Sequence, residues 1–193
     1  MCRDFELIDP LEVSRAYHYL IHNRIRAGDL DGAQEALADS REWVEETDFY
    51  GKLFRDFYYI ELARRRGLNA LRPRKPQGYA GLIHPYAFAL QAWARNPVHD
   101  LSERLKAIEE AAEALERVPS NGGILEFLAC TYRVYEAVLR GGKRSFQRAR
   151  ENWERWIEEH GKEAFRHRYG YLPTQVASAW EVVEDIMARV PYH

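Results

Sequence analysis

The sequence predicts an all-α protein of about eight helices stacked as antiparallel helical hairpins. It reads as a single domain over 1–193, with the loop at 67–83 as the place where it would subdivide. Three observations carry this. Apolar residues recur at spacings of three and four along most of the chain, the period of an amphipathic helix. No stretch shows sustained period-two alternation between hairpin turns. Gly, Pro and Asp fall between the periodic stretches, where helices start and stop.

The first helix is expected over about 11–27. Asp9 caps it and Pro10 fits the first position, where a missing N–H is no loss. Val13, Ala16, Tyr17, Leu20, Ile21 and Ala27 form its apolar stripe. Gly28 suits a left-handed stop, and Asp29 suits the cap of the next helix. That helix is expected over about 30–46, burying Leu30, Ala33, Ala36, Leu37, Trp43 and Val44. A third helix, about 49–66, is dense in aromatics: Phe49, Phe54 and Phe57 join Leu53, Ile60 and Leu62. Asp56 and Glu61 lie among them, so partial burial would need the nearby arginines as partners. Gly67 ends this helix, and the prolines after it exclude a helix in the following loop.

A fourth helix, about 85–95, is apolar nearly all round and predicted buried. Asp100 with Glu103 makes a capping box for the fifth, which reaches about 118 with Leu101, Leu105, Ile108, Ala112 and Leu115 inward. Its Glu109, Glu110, Glu113 and Glu116 read as a solvated face. The sixth helix, about 124–140, is apolar on two sides and should be central. Gly141 and Gly142 turn the chain into a seventh, about 143–160, with Phe146, Ala149, Trp153, Trp156 and Ile157 inward. An eighth is expected over about 174–190.

Composition bounds the function. With 193 residues and 46% apolar content, the chain can bury roughly 70% of its unfolded surface without a metal or disulfide staple. A net charge of -2 gives no global field toward nucleic acid or membrane. No apolar run reaches membrane-spanning length, and the N-terminus lacks an apolar signal core, so a cytoplasmic protein is expected. Cys2 and Cys130 are too few and too far apart for a thiolate zinc site, and Cys130 reads as a buried free thiol. Arginine outnumbers lysine 23 to 5 while polar amides and hydroxyls are scarce, which suggests a thermophile.

Four groups of residues invite a functional reading. Arg15, His18, His22 and Arg26 lie opposite the apolar stripe of the first helix. His18 and His22, four apart, project the same way and could chelate a divalent metal. No carboxylate completes that site and the arginines disfavour a cation, so an anion or acidic peptide suits it better, and no metal or cofactor is assigned. The second group is Arg64, Arg65, Arg66, Arg72, Arg74 and Lys75, with Tyr79 near: six cations in twelve residues. Nucleic-acid binding wants such a cluster with a stacking aromatic. The simpler alternative is that Arg64 to Arg66 balance a helix C-terminus. Third, Arg155 with His160, and Arg15 with His22, have the Arg–His spacing of the all-α HEPN ribonucleases. The abundance of arginine and seven histidines produces about that many matches by chance. His160 would there act as general base on a ribose hydroxyl, with Arg155 steadying the phosphate. Fourth, twelve tyrosines and five tryptophans exceed what a plain surface needs, and any that cluster outside with arginine would mark an interface. No phosphate-loop, dinucleotide, nucleophile-elbow or Glu-x-x-His pattern is present.

Residues 16–37 resemble a tetratricopeptide repeat, a helix–turn–helix unit. Leu20 stands at its apolar position in the first helix, Gly28-Asp29-Leu30-Asp31 looks like its interhelical turn, and Ala33 matches its small residue in the second. Ile21 stands where the family usually has a small residue. Residues 127–153 give a weaker echo through Gly141-Gly142, Ala149 and Trp153. The resemblance implies a TPR-like or irregular α-solenoid that binds a protein or acidic peptide. Nucleic acid through the 64–75 segment is the alternative partner, and no membrane is implied.

Overall fold

The computed structural model describes residues 10–42, 49–77, 83–118 and 124–160. The described residues are all-α: α1 Pro10–Ala27, α2 Leu30–Asp39, α3 Phe49–Arg65, α4 Ile83–Ala94, α5 Leu101–Glu116, α6 Ile124–Arg140 and α7 Lys143–His160. The expected eighth helix and Tyr79 lie outside them. The chain divides into two compact units, with the boundary between His99 and Asp100.

In the first unit α1 packs on α2, α3 packs on both, and α4 packs on α3. The α1–α2 turn forms as its residues dictate. Gly28 takes φ +81°. Its N–H donates to the Ile25 carbonyl at 3.2 Å and that of Asp29 to Arg24 at 2.9 Å, which satisfies carbonyls the helix leaves open. Asp29 Oδ1 then accepts from the Gly32 N–H at 2.9 Å, capping α2. A side chain at Gly28 would meet no neighbour, so its cost is purely conformational. Gly28→Ala is therefore expected to destabilise the fold by about 1 kcal/mol, and Gly28→Asn by less, because Asn tolerates the left-handed region. Urea midpoints of the two variants would show this; an Ala variant as stable as the parent would refute the turn.

Ala33 and Ala36 are fully enclosed, letting α2 approach Ile21 and Ile25 of α1 and Phe54, Tyr58 and Leu62 of α3 in one core. After Asp39 the helix tightens into a 3₁₀ turn over Ser40–Glu42, where an unbroken α-helix is expected; the rest of the expected span, with Trp43 and Val44, lies outside the described residues. Ser40 Oγ donates back to the Leu37 carbonyl at 2.8 Å, a local bond that competes with the helical ladder. From Tyr86 to Ala94, α4 is buried on every side, as its sequence predicts. The rings of Phe57 and Phe88 meet at 5.8 Å between α3 and α4.

The loop after α3 is irregular yet anchored. Gly67 (φ +66°) closes α3, with the Leu68 N–H donating to Ala63 at 2.8 Å. Trp93 Nε1 donates to the Ala70 carbonyl at 2.8 Å, and the buried Asn96 donates to Leu68 at 2.7 Å. Trp93 stacks on His99 at 3.9 Å, and the Arg72 guanidinium lies 5.9 Å from its ring. These contacts fasten residues 68–72 to Trp93 of α4 and to Asn96 just after it.

In the second unit α6 packs on both α5 and α7. Asp100 caps α5 through the N–H groups of Ser102 and Glu103. Ala107, Ile108, Ala111, Ala112 and Leu115 are buried, but Leu101 is exposed, against the expected stripe. The glutamates of α5 are also not simply solvated. Arg133 of α6 forks onto Glu116 at 2.8 and 2.7 Å and reaches Glu136 at 2.7 Å. Arg140 joins Glu136 at 2.6 Å and Glu109 at 3.4 Å. Two arginines on one helix thus hold acids of both helices in a shared network, which fixes the pairing more than isolated surface pairs do.

Candidate functional site

The face that α1 buries is turned by roughly 100°, about one residue, from the expected stripe. Ser14, Ile21, His22 and Ile25 are buried, while Ala16, Leu20 and Ala27 are exposed. The apolar residues of α1 are spread over two sides, so its own pattern does not choose between them. Ile25 and the aromatic surface of α3 make the choice. His18 lies 5.0 Å from the Phe54 ring and 5.7 Å from that of Tyr58, whose hydroxyl donates to the His18 carbonyl at 3.1 Å. The two histidines therefore face α3 rather than solvent, which corrects their expected outward orientation. Arg26 remains exposed; the Arg15 side chain lies outside the described set.

His22 is only 8% exposed, and its Nε2 has no hydrogen-bond partner. Its pKa is pushed down to about 4, first by burial, then by the charges of Arg26 and Arg65, with Glu61 acting the other way. The imidazole is thus neutral at pH 7. Glu61 is buried, as its neighbours suggested, whereas Asp56 is exposed. The Glu61 carboxylate accepts from both Nε (2.8 Å) and Nη2 of Arg64, and from Arg65 Nε at 3.1 Å. Burial raises its pKa, but the Arg64 bonds and the charges of Arg64, Arg95 and Arg65 outweigh this and hold it below the usual carboxylate range.

Half of the expected basic patch is therefore neutralised internally. Arg64 and Arg65 clasp Glu61. Arg66 crosses to α2, pairing with Asp31 at 2.6 Å and bonding the Leu30 carbonyl at 3.2 Å and the Gln34 side chain. Arg72 lies by Trp93, and only Arg74 and Lys75 of the six are both exposed and without a described partner. The α1 and α3 groups meet in one place: the Arg65 charge reaches His22.

The outward side of α1 carries Tyr19 (57% exposed) and, one, four and seven residues after it, Leu20 (41%), Asn23 and Arg26. Sequence reasoning placed Leu20 inside and gave Tyr19 no role; only the rotation of the helix reveals the pair. Among the described residues, no three of His, Cys, Asp and Glu gather as a metal site, and no helix is long and apolar enough to cross a membrane. The free Cys130 thiol is pushed up to about 11 by burial and the charges of Glu126 and Glu116, so it is protonated and a poor nucleophile at neutral pH. The side chains of Trp156, Ile157 and His160 lie outside the described set. No protein-family model matches the chain, and neither a curated protein nor a solved structure matches it.

Proposed function

We propose that this is a non-enzymatic helical module, TPR-like in its first hairpin, that binds a protein segment carrying acidic and apolar side chains. The observation that carries the reading is the outward stripe of α1. Tyr19 and Leu20 stand exposed side by side, with Asn23 and Arg26 one and two turns further on. An aromatic and an aliphatic residue next to an amide and a guanidinium offer contact area, orientation and charge to one partner. The reading takes a cytoplasmic setting, consistent with a free thiol, and a thermophilic source, consistent with the shared ion pairs of α5 and α6. The 64–75 segment supports nucleic acid less well, because Arg64, Arg65 and Arg66 already hold acids of the fold.

The test is a peptide array of acidic sequences with single Leu or Phe anchors, followed by titration of the best binder. Tyr19→Ala with Leu20→Ala should weaken binding by about tenfold to a hundredfold, the range of a truncated interface anchor. Both side chains are exposed, so far-UV circular dichroism should not change. Unchanged affinity in the double variant, or an array with no binder while the purified protein cleaves RNA, would refute the reading.

A further inference from the structure

The loop that follows α3 has a tied backbone and apolar side chains turned to water. Trp93 gives its indole N–H to the Ala70 carbonyl, and the fully buried Asn96 donates to that of Leu68. The same Asn96 accepts from the Val98 N–H at 3.3 Å, so one amide fixes the backbone at both Leu68 and Val98. Leu68, Leu71 and Val98 are nonetheless exposed, Leu71 at 89%. Aliphatic side chains left in water contribute nothing to the fold that holds them. One exposed leucine is ordinary, but three around one anchor mark an interaction surface. The charge of this region is one-sided. From Leu62 to His99 the chain has no Asp or Glu, although it holds 30 of them in 193 residues. Glu61 and Asp31 answer Arg64, Arg65 and Arg66 at the start of the stretch. Arg74 and Lys75, three and four residues after Leu71, are exposed and have no described partner.

We propose that Leu68, Leu71 and Val98, with Arg74 and Lys75, form a docking surface for an acidic protein segment that presents large apolar side chains. The cations select the sign of the partner, and the aliphatic side chains select its kind. A nucleic acid offers its bases as apolar surface, and bases stack on aromatic rings. The ring at this place, Trp93, is buried and already stacked on His99. Recognition of an anionic lipid surface by charge takes clusters of roughly four to eight cations, whereas two stand exposed without a described partner here. A peptide supplies carboxylates to Arg74 and Lys75 and an apolar side chain to Leu71 within a few residues of chain. Pro73 and Pro76 favour extended backbone, and Asn96 and Trp93 hold the leading residues, so little order remains to be imposed on docking. The surface shares no residue with the α1 stripe and does not rest on it.

The experiment reads an array of acidic peptides with single Leu or Phe anchors with the full chain, then titrates the binders by fluorescence anisotropy. Leu71→Ser should weaken binding roughly tenfold at every salt concentration, the effect of a lost apolar anchor. Arg74→Gln/Lys75→Gln should weaken it at low salt and flatten its salt dependence, the mark of peripheral charges. Leu71→Met should keep most of the affinity, because it conserves volume and apolarity. All these side chains are exposed, so the melting temperature should not move. Replacing the peptide's Glu by Gln, or its anchor by Ser, should mirror the two losses. The Tyr19→Ala/Leu20→Ala variant should still bind these peptides. The proposal is overturned if no peptide on the array depends on Leu71, Arg74 and Lys75. In that case a loss confined to the Tyr19/Leu20 variant would leave the α1 reading standing. Tighter binding of a 20-base-pair duplex, or of phosphatidylcholine–phosphatidylserine vesicles, through the same three residues would also overturn it.

Discussion

Replacing Glu61 with Ala is expected to destabilise the first unit by about 3 kcal/mol. Breaking a buried ion pair by removing one partner costs roughly 3–5 kcal/mol, because the charges left behind have lost their solvent and their counterion. The lower end applies here. Arg64 and Arg65 keep side-chain exposures of 17% and 36%, so both can turn part of the way to water. For a unit of about 100 residues, a loss of this size lowers the melting temperature by roughly 10–20 °C. Glu61→Gln should fall between parent and Ala, since the amide oxygen still accepts from one guanidinium but carries no charge. Urea denaturation of the full chain, followed by far-UV circular dichroism, measures the series. An Ala variant within about 0.5 kcal/mol of the parent would mean the pairs with Arg64 and Arg65 contribute no net stability.

That cluster also shows what a sequence does and does not disclose. Glu61 in an aromatic helix, followed at three and four residues by arginines, is a local pattern, and its pairing is legible without a structure. The stops at Gly28 and Gly67, the cap at Asp29 and the bounds of α6 and α7 are legible for the same reason: capping chemistry acts within a turn. The bond of Arg66 to Asp31, thirty-five residues away, is not. Nor is the face that α1 buries, because Leu20 and Ile25 compete for the interior and the aromatic rings of α3 decide. The candidate α1 site inherited that ambiguity. The sequence places both histidines outside, whereas the structure buries His22 and half-buries His18 against α3, and Leu20 goes the other way. Arg133 and Arg140 likewise redefine the α5 glutamates, since a solvated acidic face and a paired one have the same sequence.

The buried histidine makes the first unit acid-sensitive in a definable window. In the folded chain burial, helped by the charge of Arg26, pushes His22 down to about 4 from its ordinary 6.5. Below pH 6.5 the unfolded chain binds a proton that the folded chain does not, so stability falls as pH falls. The loss grows down to about pH 4, where the folded form also protonates, and saturates near 3 kcal/mol. The groups facing this imidazole are Arg26 on its own helix and Glu61 and Arg65 on α3. Glu61 has the opposite kind of titration: a carboxylate with a lowered pKa stabilises the fold above its unfolded value of 4.5 and loses that contribution only as pH falls further. The two effects therefore follow one another, His22 first. His22→Leu separates them. It removes a buried nitrogen with no partner, so the variant should be more stable than the parent at pH 7 by about 1 kcal/mol. It should also lose far less stability between pH 6.5 and 4, with its decline confined to the acid range of Glu61. Urea midpoints at half-unit pH intervals give both curves. If parent and variant ran parallel from pH 7 to 4, His22 would not be the buried neutral group that the α1–α3 interface requires. Removing Glu61 should sharpen the effect, because His22 would then face Arg26 and Arg65 without a compensating charge. A double-mutant cycle between the two positions reads that coupling directly.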